Sequence, residues 1–182
     1  GKDPWLKERL GALQPDLLVV IAYGQILPAS ILTIPRLGAI NIHASLLPKY
    51  RGPAPIQWAI IRGDRRTGVT TMWMAEGMDT GDILLQEEVA IDRHETSGSL
   101  HRKLARESAE LLIDTLRRLA SGRLSAIPQD ESQVTYAPIL KKEDGRIDWT
   151  RSAGALDCLI RGINPWPGAF TFLYGKRLKV FF

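Results

Sequence analysis

The sequence predicts an α/β fold built on a partly parallel sheet, and three observations carry that prediction. A continuous apolar run occupies residues 17–22 between turn residues, a second short apolar run follows at 39–42, and residues 98–120 carry leucines on a single helical stripe. Unbroken apolar runs of this length fit strands covered on both faces, as in a parallel sheet, with helices as the cover.

Each element follows in order. Residues 5–13 have the spacing of a short amphipathic helix, which Gln14, Pro15 and Asp16 break before the strand at 17–22. The stretch 28–35 reads as a short helix closed by proline and leads to the strand at 39–42. After Arg51, Gly52 and Pro53, the positions Ile56, Ala59 and Ile60 mark a helix ending at Gly63 and Asp64. Strands are expected at 69–74 and 83–91, and the turn-rich segment 76–82 between them is short enough to make the pair antiparallel. The helix at 98–120 gathers Leu100, Leu104, Leu111, Leu112, Thr115, Leu116 and Leu119, with Ser97 as its cap and Gly122 just past its end.

From 125 to 148 the chain turns polar and irregular, as a wrapping segment does, before a helix at 152–163. Asn164, Pro165, Trp166, Pro167 and Gly168 have the stiffness of a linker. Beyond them, 169–174 and 177–182 read as two strands joined at Gly175 and Lys176. The expected division is a catalytic domain over 1–125, a wrapping segment, helix and linker over 126–168, and the first strands of a second domain over 169–182.

Composition narrows the function only slightly. A formal net charge of +4 favours an acidic partner, but the cations are spread along the chain and select none. No apolar run approaches the roughly 20 residues that span a bilayer, so a soluble chain is expected. Cys158 is the single cysteine and cannot form an internal disulfide, which fits a reducing compartment such as the cytoplasm; its apolar neighbours make it a buried helical residue. The histidines His43, His94 and His101 lack clustered ligand spacing, so no metal is expected, and the latter two read as solvated. The pairs Arg117 with Arg118 and Lys141 with Lys142 read as wet surface, and Trp149 and Trp166 as buried between domains.

The chemistry concentrates at 41–48. Asn41 and His43 stand two apart at the carboxyl end of a strand, so an amide and a titratable imidazole share one face where open α/β sheets place their ligands. Alone, such a pair reads as two satisfied polar groups at a strand end. The apolar turn Leu46, Leu47, Pro48 leads into Tyr50, Arg51, Gly52 and Pro53, and farther on Asp79 sits on a glycine-flanked loop.

Taken together, N-x-H-x-S-L-L-P at 41–48, Y-R-G at 50–52, T-G-V-T at 67–70 and D-T-G-D-I at 79–83 resemble the folate-dependent formyltransferase family in order and spacing. Segments 54–60, 95–100, 145–149 and 164–168 look like its methionyl-tRNA branch, and the resemblance covers nearly the whole chain. It implies a Rossmann-like formyltransferase catalytic domain, partial and lacking the first strands, followed by a linker and the start of an OB-like β domain. It further implies transfer of the formyl group of 10-formyltetrahydrofolate to the amino group of methionine on initiator tRNA. In that reading Asn41 and a protonated His43 stabilise the oxyanion while Asp79 favours the charged imidazole and helps move the amine proton.

The same resemblance places the pterin against Tyr23, Gly24, Gln25, Ile26, Leu27, Ser45, Leu46, Leu47, Pro48, Gly77, Met78, Gly81 and Asp82. For Leu46 and Leu47, plain core packing is an equal reading. Sugar-nucleotide N-formyltransferases share the S-L-L-P core and form the rival enzymatic reading; a non-catalytic folate- or RNA-binding fragment is the alternative from another class. The match begins partway into the family pattern, so the chain is expected to be a piece of a longer, monomeric enzyme and to have little activity alone.

Overall fold

The computed structural model describes residues 4–182. Helix α1 (Pro4–Leu13) precedes strand β1 (Leu18–Ile21), helix α2 (Ala29–Leu32), strand β2 (Ala39–His43) and helix α3 (Pro55–Ile61). Strands β3 (Arg66–Trp73) and β4 (Ile83–Ala90) follow, then the long helix α4 (Ser97–Ala120). After an irregular stretch with two short 3-10 turns come helix α5 (Ala153–Gly162) and the strands β5 (Ala169–Leu173) and β6 (Lys176–Val180).

The main sheet has the order β1-β2-β3-β4, and β5 and β6 form a separate two-stranded sheet. β1 and β2 are parallel, whereas β2–β3 and β3–β4 are antiparallel. The α/β expectation with a partly parallel sheet therefore holds. One detail does not. β1 lies at the sheet edge with only β2 beside it, so it is half-buried and Ile21 is 58% exposed, not covered on both faces. β3 also begins three residues before its apolar run, because Arg66 and Thr67 pair with Ala90 and Val89 of β4.

α4 forms because its leucines recur at helical spacing and its first turn is capped. The cap is Thr96, not Ser97: Thr96 Oγ1 accepts from Ser99 N while Ser99 Oγ accepts from Thr96 N. Ser97 has another task, since its hydroxyl donates to Asn164 O at 2.7 Å and Gly98 N donates to the same oxygen. The segment expected as a linker is thereby tied to the start of α4. Gly122, at φ 67°, ends the helix in the left-handed conformation that glycine adopts without strain.

Two cores result. Leu100, Leu104 and Leu111 of α4 pack with Ile60, Val69 and Val89, and Thr115 Oγ1 meets Thr71 Oγ1 at 2.8 Å beneath them. Ala54, Leu140, Ile147, Leu159, Ile163 and Ala169 form the second, which joins the wrapping segment, α5 and β5 to the start of α3. The β5–β6 hairpin turns at Tyr174 and Gly175, one residue earlier than expected, and both have positive φ as a two-residue hairpin turn requires. Trp149 and Trp166 are exposed, not buried as expected; Trp149 instead donates its indole N–H to Thr171 Oγ1 on β5.

Two substitutions test this packing. Thr96→Ala should cost about 1 kcal/mol, the usual worth of an N-cap hydroxyl. Leu104→Ala should cost about 2–5 kcal/mol because it empties a filled core position. Urea titrations of both variants, monitored by circular dichroism, should rank them in that order.

Candidate active site

β2 alternates Ile40 and Ile42 on one face with Asn41 and His43 on the other. The first face is the one covered by α4, because Thr71, paired with Ile42, reaches Thr115. Asn41 and His43 therefore project from the opposite face, beside Met72 and Thr70 of β3.

The turn leaving β2 is held by Thr70. Its hydroxyl donates to Ser45 O at 2.6 Å and accepts from Leu47 N, while Gln86 Nε2 donates both to Thr70 Oγ1 and to Leu47 O. Ser45 is fully buried and donates its hydroxyl to Lys49 O, closing the turn. Leu47 packs in a cluster with Met72 and Ile83, so its side chain serves the core. Leu46 stays half-buried over Gly68, where any Cβ would lie 2.4 Å from Leu46 Cδ2.

Tyr50 ends the turn in the left-handed region at φ 62°. For a non-glycine residue that conformation costs roughly 1–2 kcal/mol, and two hydrogen bonds offset it. Tyr50 N donates to Thr135 Oγ1 and its phenol donates to Asp64 Oδ2 at 2.6 Å. Burial, reinforced by Asp64, pushes the Tyr50 phenol well above its ordinary value. The reward of this geometry is at the main chain, where Tyr50 O lies 2.8 Å from His43 Nε2. A carbonyl can only accept, so Nε2 carries the hydrogen and Nδ1 is left as the nitrogen that gains or loses a proton.

His43 Nδ1 faces Asp79 Oδ2 at 3.6 Å, with both side chains largely buried. The separation is longer than a direct hydrogen bond yet close enough for strong attraction between carboxylate and imidazolium. Asp79 reaches this place on a loop that starts level with Ala39, where Met74 N donates to Ala39 O, and folds back across the face bearing Asn41. Trp73 N donates to Asp82 O and closes the loop at its base. Gly81 permits the closure, since a Cβ there would sit 1.7 Å from Trp73 O. Asp79 itself has φ 54°, and its Oδ2 accepts from Gly52 N at 2.8 Å. Gly52 is equally constrained: at φ 119°, its Cβ would press on Ala137 O at 2.8 Å.

Asn41 is half-buried, and its side-chain amide has no hydrogen-bond partner among the described residues. An amide donor, an imidazole nitrogen and a carboxylate thus address one sheet face, and that set can stabilise developing charge on a carbonyl oxygen and relay a proton. The loop carrying Tyr23, Gly24, Gln25 and Ile26 leaves β1 at the same sheet edge, because Ile21 pairs with Ile42. These four residues are exposed and Leu27 is buried. Gly77 and Met78 are exposed at the tip of the Asp79 loop, whereas Gly81 is buried, and Pro48 and Asp82 are half-buried. A surface concavity of about 360 Å³ beside Leu46, Lys49 and Tyr50 contains none of Asn41, His43 and Asp79. His94 and His101 are exposed, and among the described residues no cluster of potential ligands could hold a metal.

Sequence reasoning missed the supports of Asp79. Gln129 Nε2 donates to Asp79 O at 2.8 Å and to Gly81 O at 2.7 Å, while Gln129 Oε1 accepts from Arg51 Nε and Nη2. Arg51 is 2% exposed and reaches Glu131 as well, whose carboxyl its hydrogen bonds hold below the usual range. Arg51 stands in the Y-R-G motif, but no spacing connects it to a glutamine 78 residues away.

The sequence profile described as Formyl transferase matches residues 2–116, and the chain belongs to that family. A second profile, Formyl transferase, C-terminal domain, matches 139–182. The chain is 55% identical over 174 residues to the methionyl-tRNA formyltransferase of Citrifermentans bemidjiense, covering 96% of this chain and 55% of that protein. It is 52% identical to the one from Lachnospira eligens, covering 99% of this chain and 57% of that protein. It spans about half the length of the curated relatives it matches.

Solved structures share the fold at lower identity. A sugar N-formyltransferase from a Shewanella species superposes with a TM-score of 0.83 at 23% identity, over 100% of this chain and 74% of that one. HypX from Aquifex aeolicus in complex with tetrahydrofolic acid gives 0.82 at 24% identity, over 98% of this chain and 31% of that one.

The Tyr50 phenol gives a test with a definite sign. A proton held more tightly in the folded state stabilises the fold fully below the ordinary phenol value of 10.0 and is lost progressively as pH rises above it. Urea midpoints should therefore fall more steeply above pH 10 in the parent than in Tyr50→Phe, and parallel curves would contradict this placement.

Proposed function

We propose that this chain is the part of a methionyl-tRNA formyltransferase that holds the reacting groups, moving the formyl group of 10-formyltetrahydrofolate onto the amino group of methionine carried by initiator tRNA. One observation carries the catalytic reading: His43 Nδ1, left free by the hydrogen bond of Nε2 to Tyr50 O, faces Asp79 on the side of the sheet that bears Asn41, whose amide has no hydrogen-bond partner among the described residues. The substrate reading is supported by the names of the relatives at 52–56% identity.

The folate co-substrate supplies the activated formyl carbon. Attack by the methionine amine places negative charge on the formyl oxygen, and Asn41 with the protonated Nδ1 of His43 would stabilise it. Asp79 would favour the charged form of the ring and take part, directly or through a water, in moving the amine proton toward the departing folate nitrogen. The exposed residues Tyr23, Gly24, Gln25 and Ile26, the half-buried Leu46 and Pro48, and the loop with Gly77, Met78, Gly81 and Asp82 would bound the pterin pocket. The tetrahydrofolic acid named for the HypX structure is consistent with that ligand. Ser45, Leu47 and Leu27 would shape the wall from behind, being buried. We place the enzyme in the cytoplasm, where initiator tRNA is charged.

The sugar reading has one observation behind it, the superposition on a sugar N-formyltransferase. The two are separated by assaying the full-length protein with 10-formyltetrahydrofolate and either methionyl-tRNA or a 4-amino-sugar nucleotide. Formylation of the tRNA alone is expected; transfer only to the sugar would replace this proposal. Asn41→Ala, His43→Ala and Asp79→Ala should each lower kcat about 100-fold or more, as loss of an oxyanion donor or acid-base group does. A His43→Ala protein with parental turnover would end the catalytic reading.

A further inference from the structure

We infer that Gln129 is a positioning residue for the catalytic carboxylate, so that the segment between the two matched family profiles belongs to the working site. This rests on the role proposed above for Asp79. The two profiles end at 116 and begin at 139, and Gln129 lies between them.

The argument is one of hydrogen-bond counting. A primary amide has two N–H donors and one carbonyl with two lone pairs. Gln129 commits both donors, one to Asp79 O and one to Gly81 O, and it fills its acceptor with Arg51 Nε and Nη2. Every valence of the side chain is therefore used, and it is only 9% exposed. No other side chain satisfies this pattern. A glutamate would set a carboxylate against two carbonyl oxygens, asparagine falls short by one methylene, and an apolar residue would leave the buried Arg51 with an unfilled donor.

The bonds of Gln129 fall on the two residues that decide where the Asp79 carboxylate points. Asp79 has a positive φ of 54°, a conformation that a non-glycine residue keeps only when its surroundings impose it. Gln129 holds its carbonyl from one side, while Gly52 N holds its Oδ2 from the other. Arg51 and Gly52 are adjacent, so the residue that anchors the glutamine also fixes the amide that orients the carboxylate. Glu131 secures Arg51 from the far end through Nη1 and Nη2. The carboxylate opposite His43 is thus aimed by a clamp whose outer jaw is the 129–131 stretch.

A double-mutant cycle in the full-length protein tests this, with methionyl-tRNA and 10-formyltetrahydrofolate as substrates. Gln129→Glu should lower kcat about 10- to 100-fold, the range in which displacement of an acid-base group falls, while KM for the tRNA changes less than about threefold. Gln129→Ala serves as the second variant, and the melting temperature of each is measured alongside so that only folded proteins are compared. In an Asp79→Asn background, which keeps a measurable rate if only charge is removed, either Gln129 change should lower kcat by less than about threefold further. Non-additivity of that kind is what action through Asp79 requires. If the same 10- to 100-fold loss recurs without the carboxylate, or if KM alone moves, Gln129 supports the fold generally and the inference is overturned. If Asp79→Asn itself turns over like the parent, it is the catalytic reading of Asp79 that fails.

Discussion

A main-chain carbonyl sets the chemical identity of the central imidazole. Because Tyr50 O accepts from His43 Nε2, only Nδ1 of the ring is left uncommitted to the main chain, and Nδ1 looks toward Asp79. That commitment depends on Tyr50 occupying a left-handed conformation, which is held in turn by Thr135 at its nitrogen and by Asp64 at its phenol. The turn before it is held by Thr70. Moving any of these supports would rotate the ring or exchange its tautomer before touching a reacting group, so the site is defined as much by main-chain geometry as by the three side chains.

The sheet explains why those groups meet. A parallel pair puts the ends of β1 and β2 at one edge, and the antiparallel return of β3 sends the Asp79 loop off from the opposite end, so the loop has to fold back over the Asn41 face to reach His43. Glycine at position 81 and a positive φ at Asp79 are the local conditions for that reversal.

Much of this was legible in the chain before any coordinates. The two-residue spacing of Asn41 and His43 predicts a shared face, and the glycine-flanked Asp79 predicts a tight loop, because both follow from local backbone rules. The strands and helices were legible where the apolar pattern was strong, as in α4. What could not be read was long-range. Nothing near Gln129 signals that its amide will cap two carbonyls across the fold, and nothing near Ser97 says that it will bind Asn164 O while Thr96 takes the cap. The place of β1 at the sheet edge is not written in its own residues either, since an apolar strand reads the same whether it is central or at an edge. Trp149 likewise found its partner on β5, which no periodicity encodes.

The clamp on Asp79 also has a temporal side. The hydrogen bonds from Arg51 to Gln129 join residues 78 apart, whereas the β3–β4 hairpin closes over residues 74–82 alone. Contacts between distant parts of a chain carry a larger loop-closure entropy and are slower to form. A chain emerging from the ribosome can complete its sheet and still present a misaimed carboxylate until the 129–131 stretch has been made and has docked. Nicking by a protease within that stretch would release the anchor of the Asp79 carbonyl while leaving the sheet itself in place.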